Sequence, residues 1–235
     1  MAQTLKQFKL DVDALIAGGE KKEIAVMQTI QKYIVESKKV LFEGDGYSDA
    51  WHQEAAKRGL PNIPTTPLAL DAMVTDKAKH LYESCKVYTH SELEARHEIE
   101  LEKYLKKVQI EARIMCDLSL NHIIPAAVKY QSDLASNIAQ LKSIGASDAS
   151  YATQLDILNK VSNHIGIVYT KSSEMVEARK VANAIEDTRA RAIAYCNDVK
   201  EKFFDDIRYS VDKLESLVDD EYWPLPKYRE MLFLR

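Results

Sequence analysis

Glycine and proline are scarce in this chain, 7 and 6 among 235 residues, and sit at what read as joints. That shortage favours long helices. Only VLFEGDGY, Val40 to Tyr47, can run extended, and one short strand has no partners for a sheet, so an α/β fold is disfavoured. The three cysteines, Cys85, Cys116 and Cys196, are odd in number, far apart and without a C-x-x-C pair. They support neither a disulfide framework nor a zinc knuckle, and a reducing cytoplasm fits best. No apolar run approaches the roughly 20 residues that a membrane span needs. AQTLKQFKLDVDALI after Met1 is charged throughout, unlike a signal peptide with its unbroken apolar centre. An excess of positive charge is also lacking. With 32 basic and 36 acidic residues the formal net charge is -4, the signs interspersed, whereas a nucleic-acid footprint needs a basic face. Lys21-Lys22, Lys38-Lys39 and Lys106-Lys107 read as solvated helix faces.

What is present is apolar periodicity at helical spacing, in a chain that is 46% hydrophobic and 29% charged, a globular composition. A first helix is predicted from about Thr4 to Ala17, with Leu5, Phe8, Val12 and Leu15 on one face and Gly18-Gly19 ending it. A second, about Lys21 to Ser37, carries Ile24, Met27, Ile30 and Ile34, and both read as half-buried. Ser48 is a candidate N-cap for a helix to about Arg58, with Gly59 placed for a left-handed stop. Thr65 or Thr66 can cap a short helix starting on Pro67, and another spans Asp76 to Ser84.

Thr89 to Glu92 fits a capping box, and the helical pattern then runs to about Ser143, with a kink expected at Pro125. Its seam reads Leu101, Tyr104, Val108, Ala112, Met115, Ser119 and His122, the last as a hydrogen-bonded core histidine. After a turn at Gly145, Leu158, Val161, Ile165, Val168, Ser172 and Met175 form a second seam. A break is placed near Asn183 to Asp187, with Asp187 capping a last helix that buries Ile193, Cys196, Phe203, Ile207, Val211, Leu214 and Val218. The expected fold is all-α, an up-down bundle of three long antiparallel helices with several short N-terminal helices packed against it. Residues 1–90 form the short-helix segment and 91–235 the bundle with its C-terminal tail, read as one continuous helical domain.

Motifs for chemistry are thin. Gly44-Asp45-Gly46 lacks the further glycine and lysine of phosphate loops, and Asp45 repels phosphate; a tight turn with a positive φ at glycine is the expectation. Glu94-x-x-His97 has the spacing of a di-iron bundle ligand pair, but no second Glu-x-x-His exists, and Leu101 stands where H-E-x-x-H needs its second histidine. No G-x-S-x-G elbow occurs, and Cys116 and Cys196 lie on apolar helix faces where thiols pack inertly.

Five segments in order carry a family likeness. They are GDGYSDAWHQEAAKRGLPN (Gly44 to Asn62), ELEARHEIELEKYLKKVQIEAR (Glu92 to Arg113), NHIIPAAVKYQ (Asn121 to Gln131), DDIRYSVDKLE (Asp205 to Glu215) and DDEYWPLPKYREMLF (Asp219 to Phe233). Together they resemble the C-terminal region of type III glutamine synthetases, over essentially the whole chain. The resemblance implies a long cytoplasmic parent enzyme that joins ammonium to glutamate with ATP and magnesium, through a γ-glutamyl phosphate, in stacked hexameric rings. It also implies that the metal-binding carboxylates and the arginines for glutamate and phosphate lie upstream, on a sheet-based domain. None of those motifs occurs here, so no catalytic, cofactor-binding or metal residue is carried over. The expectation is a piece that starts just past the catalytic machinery, is not catalytic by itself, and contacts the upstream domain of the same polypeptide and neighbouring subunits. No nucleic acid or membrane is expected as a partner.

Candidate interface residues are Tyr47, Trp51, Lys57 and Arg58 around the glycine turn, and Tyr222, Trp223, Lys227, Tyr228 and Arg229 where two prolines stop the last helix. For the tail, folding back on its own bundle stays open beside the interface reading. The alternative function is a free-standing helical-bundle adaptor for protein partners. A carboxylate-bridged metal oxidase is the third reading, and the lone Glu-x-x-His leaves it unsupported.

Overall fold

Caps and breakers set the helix boundaries. The computed structural model describes residues 1–233, apart from the side chains of Ala2, Tyr228 and Arg229, and all regular structure among the described residues is helical. The chain falls into two compact units, Met1–Ile63 and Pro64–Arg235. No helix among the described residues is long and apolar enough to cross a membrane.

In the first unit, α1 (Ala2–Ala17) and α2 (Lys22–Ser37) form a hairpin that reverses at Gly18-Gly19, where Gly19 takes φ 99°. Phe8 meets Tyr33 edge-on at 5.5 Å, and Asp11 accepts hydrogen bonds from Lys32 at 3.2 Å and the Tyr33 hydroxyl at 3.3 Å. Val12, Ala25 and Thr29 are buried between the helices. The expectation of a half-buried α2 stripe is corrected: Ile24, Met27, Ile30 and Ile34 are 45, 66, 38 and 53% exposed. Ile24 and Met27 point away from α1, while Ile30 and Ile34 stand further round the helix and line a hollow with Phe8 of α1 and Tyr33.

The next helix, α3 (Asp49–Lys57), starts where the Ser48 hydroxyl accepts from the Trp51 N–H, and stops at Gly59 with φ 69°. The Gly44-Asp45-Gly46 turn differs from expectation, because neither glycine sits in the left-handed region. Hydrogen bonds to the side chain and the carbonyl of Asp45 close it instead. The Tyr47 N–H donates to the Asp45 carboxylate at 2.9 Å, and the Ser48 N–H to the Asp45 carbonyl at 3.1 Å. Gly44 is small for a different reason: a Cβ there would stand 2.8 Å from the Phe42 ring.

The second unit begins with α4 (Thr66–Leu70), whose first turn holds the buried Pro67, and α5 (Asp76–Ser84), capped by the Thr75 hydroxyl. The Thr89–Glu92 capping box opens α6 (His90–Asp117), which passes through a π turn at Leu118–Ile123 into α7 (Ile124–Ser143). Past Gly145 runs α8 (Asp148–Asn183). Asp187 accepts from the Ala190 N–H at 2.6 Å to start α9 (Thr188–Ala194), which continues through a second π turn, Tyr195–Lys200, into α10 (Glu201–Leu217). A short α11 (Tyr228–Met231) lies in the tail.

Paired contacts show the direction of the three rods. Gln109 bonds Asn183, Cys116 bonds the Ser172 carbonyl and Gln131 bonds Ser162, descending α8 as they ascend α6 and α7. Tyr195 with Asn183, Lys171 with Asp206 and His164 with Tyr209 do the same for the third rod. Each rod is antiparallel to α8. Met175 of α8 is fully buried in a cluster with Val108, Ala112, Phe203 and Ile207, and Val161 and Val168 are fully buried in a second with Ile123, Ala127 and Leu214.

The first π turn overturns the core assignment of His122, which is exposed. A proline at 125 offers no N–H to the carbonyl of residue 121. The wider turn directly before it adds one residue to the winding, which rotates the faces of α7 by about 100° relative to those of α6. Ser119 and Ile123 stay on the seam, and Ala126 and Ala127 continue it.

Candidate functional site

Around the glycine turn, the aromatic and basic residues singled out in the sequence divide into two pairs. Trp51 stacks on Phe42 with ring centroids 4.5 Å apart, and the Arg58 guanidinium lies 5.6 Å from the Trp51 ring. Arg58 also donates to Glu54 at 2.8 Å and to the carbonyls of Lys39 and Leu41 at 3.3 and 2.5 Å. The hydrogen bond from Arg58 holds the Glu54 carboxyl below the usual carboxylate range. Trp51 and Arg58 thus close the segment leaving α2 onto α3, a joint within the first unit. Tyr47, 94% exposed, and Lys57 remain open to solvent.

In the tail, Trp223 is buried in the same cluster as Ile123, Ala127, Val161, Leu214 and Val218. Tyr222 bonds Asp133 through its hydroxyl, with its ring 6.3 Å from Tyr130. Lys227 donates to the Val218 carbonyl at 3.1 Å, pairs with Asp220 at 2.5 Å and lies 6.0 Å from the Trp223 ring. These three side chains fold the tail onto its own bundle. Those of Tyr228 and Arg229 lie outside the described residues.

A groove of about 530 Å³ runs between the first π turn and α10, lined by Met115, Leu118, Ile123, Val211, Trp223 and Leu225 among others. Its size suits a small ligand. Its polar groups do not converge on one, since Arg208 is bound by Asp212 at 2.8 Å and the lining is otherwise mainly apolar.

Sequence reasoning missed the densest ionic cluster. Arg189 grips Asp71 through Nε at 2.9 and 3.0 Å and through a terminal nitrogen at 2.5 Å, and His97 Nε2 lies 3.2 Å from the same carboxylate. The Arg189 hydrogen bond, then its charge, pull the Asp71 carboxyl below its ordinary value. Asp71 and Arg189 are 118 positions apart, so no local spacing signals the pair. Glu94 turns instead to Lys79 at 2.6 Å. The spacing that suggested a metal pair therefore serves two separate joints.

Other titratable groups follow burial. Desolvation raises the Cys116 thiol, and desolvation followed by a hydrogen bond to Cys196 raises the Tyr104 phenol, as befits inert packing groups. No three His, Cys, Asp or Glu side chains among the described residues are placed to hold a metal ion. A magnesium nucleotide needs convergent oxygen ligands and cationic clamps on its phosphates, and the described residues do not fit that group.

Comparison with known proteins gives this architecture a family. The model of the glutamine synthetase C-terminal domain matches residues 25–142. The chain is 41% identical to a glutamine synthetase of Bacteroides fragilis (strain YCH46), over 100% of this chain and 32% of that protein. It is 32% identical to a glutamine synthetase of Butyrivibrio fibrisolvens, over 92% of this chain and 31% of that one. With the type-3 glutamine synthetase of Dictyostelium discoideum it shares 30% identity, over 91% and 29%. The chain spans about a third of the length of the curated relatives it matches. With the family model matched over half its residues, the chain belongs to the glutamine synthetase C-terminal domain family.

Proposed function

We propose that this chain is the helical structural and assembly domain of a type III glutamine synthetase whose full-length parent ligates ammonium to glutamate using ATP and magnesium. The domain stiffens and positions; the reacting groups belong to the upstream catalytic domain of the same polypeptide. The observation that carries this reading is how the charged side chains are used. The Asp71 cluster ties the segment after α4 to α6 and α9, Arg58 ties α3 to the Lys39 and Leu41 carbonyls, and Lys227 pairs with Asp220 within the tail; among the described residues none of these leaves a set aimed at a common point. Phosphoryl transfer requires such a set. In this reading the parent is a cytoplasmic protein, and the domain faces neighbouring subunits of a ringed assembly.

The test is an assay of the purified chain with glutamate, ammonium and magnesium ATP. Glutamine formation is expected to stay at the level of the enzyme-free blank. Turnover that scales with protein concentration and survives repurification would contradict the assignment.

A further inference from the structure

α2 is apolar on two opposite faces. At about 100° per residue, Ala25, Val26, Thr29 and Tyr33 fall on the side that meets α1, while Ile24, Met27, Ile34 and Val35 fall on the other, 45 to 66% exposed. A helix that is apolar all round is one that is covered all round. The first unit buries little besides Val12, Ala25, Thr29 and Ala55, a thin core for a body of its size.

We propose that the outward stripe of α2 is a self-docking surface, on which α2 of a second copy of this chain lies antiparallel. The occupant is indicated by the charges at the ends of the stripe. Glu23 stands at one end and Lys38 at the other, both exposed and in no ion pair among the described residues. When Glu23 faces Lys38 of the second copy, Met27 falls opposite Ile34, and Gln31 falls opposite Ile30 beside the two-fold axis. Each contact occurs twice, as an isologous interface requires. A parallel pairing would set Glu23 against Glu23 and Lys38 against Lys38. The exposed stripe is of the order of the roughly 300–600 Å² patches that mark functional surfaces. Two of them together approach the roughly 1,000 Å² of a specific interface. Closing two hairpins on each other in this way makes a four-helix arrangement with a core that neither hairpin has alone. The inference rests on the assembly reading above and gives it a surface.

Sedimentation velocity on the whole chain over a wide concentration range tests it. A monomer–dimer equilibrium is expected. Met27→Glu should abolish the dimer, and circular dichroism should stay unchanged because the side chain is exposed. Glu23→Lys or Lys38→Glu alone should weaken association about tenfold, and the E23K/K38E double variant should restore it, since exchanged charges meet again across the two-fold axis. A wild-type chain that stays monomeric, a dimer indifferent to Met27→Glu, or a double variant no better than the singles would each overturn the proposal. The glutamine assay separates the two claims. A monomer without turnover removes only the docking surface, whereas turnover removes the assembly reading itself.

Discussion

α10 and α2 are nearly equal in length, 17 and 16 residues, yet they treat their apolar side chains in opposite ways. α10 buries Phe203, Ile207, Ser210 and Leu214, at steps of three and four, and turns Lys202, Asp205, Arg208 and Asp212 outward. Its one apolar stripe is fully covered by the bundle. α2 carries two stripes, of which α1 covers one. The difference teaches that amphipathic periodicity reports where a helix wants contact, whereas the number of apolar faces reports how many neighbours it needs.

The largest effect should come from breaking the covered side. Phe203→Ala, at a site 2% exposed, should cost about 3–5 kcal/mol in denaturant unfolding of the second unit and leave association untouched. An unfolding midpoint within error of wild type would mean that α10 is not held by this core. Next comes the joint that ties the short segment after α4 to α6 and α9. Asp71→Asn removes the charged acceptor for Arg189 and His97 and should cost on the order of 1–2 kcal/mol at neutral pH. The pH sign is set by the lowered Asp71 value. A carboxyl depressed in the folded state contributes fully above its unfolded value, near pH ~3.9, and loses the contribution as pH falls through the folded value. Acid titration should therefore bring wild type and Asp71→Asn together; parallel curves down to strong acid would refute the clamp.

Thr89→Ala deletes one half of the capping box and should cost about 1 kcal/mol, with hydrogen exchange rising first in the opening turn of α6. The smallest effect sharpens the comparison from its other side. Ile34→Ser, on the open stripe of α2, should change stability by less than about 0.5 kcal/mol in dilute solution. A loss comparable with Phe203→Ala would show that the stripe is covered within a single chain.

Helix ends were legible because their causes are local. Ser48, Thr89 and Asp187 cap, and Gly59 and Gly145 stop, through groups only a few residues apart. The two π turns were not, because a single extra residue in the winding leaves no mark in a pattern that already alternates threes and fours. His122 was misplaced for that reason. For Trp223, beside two prolines, the sequence left an exposed interface and a tail folded back on its bundle both open, and the fold shows the second, with Trp223 buried and Lys227 returning to Val218. The Asp71–Arg189 pair depends on tertiary proximity alone. Ile24 and Met27 show the remaining limit, since spacing identifies an apolar face and says nothing of what covers it.

Hydrogen exchange of the whole chain, followed as a function of protein concentration, tests the contrast between these helices most directly. The account predicts that amides of Ile24 to Val35 gain protection as concentration rises, while those around Val161, Val168 and Leu214 are strongly protected throughout. Protection of α2 that is high and independent of concentration would contradict it, for the second face would then be covered without a second copy.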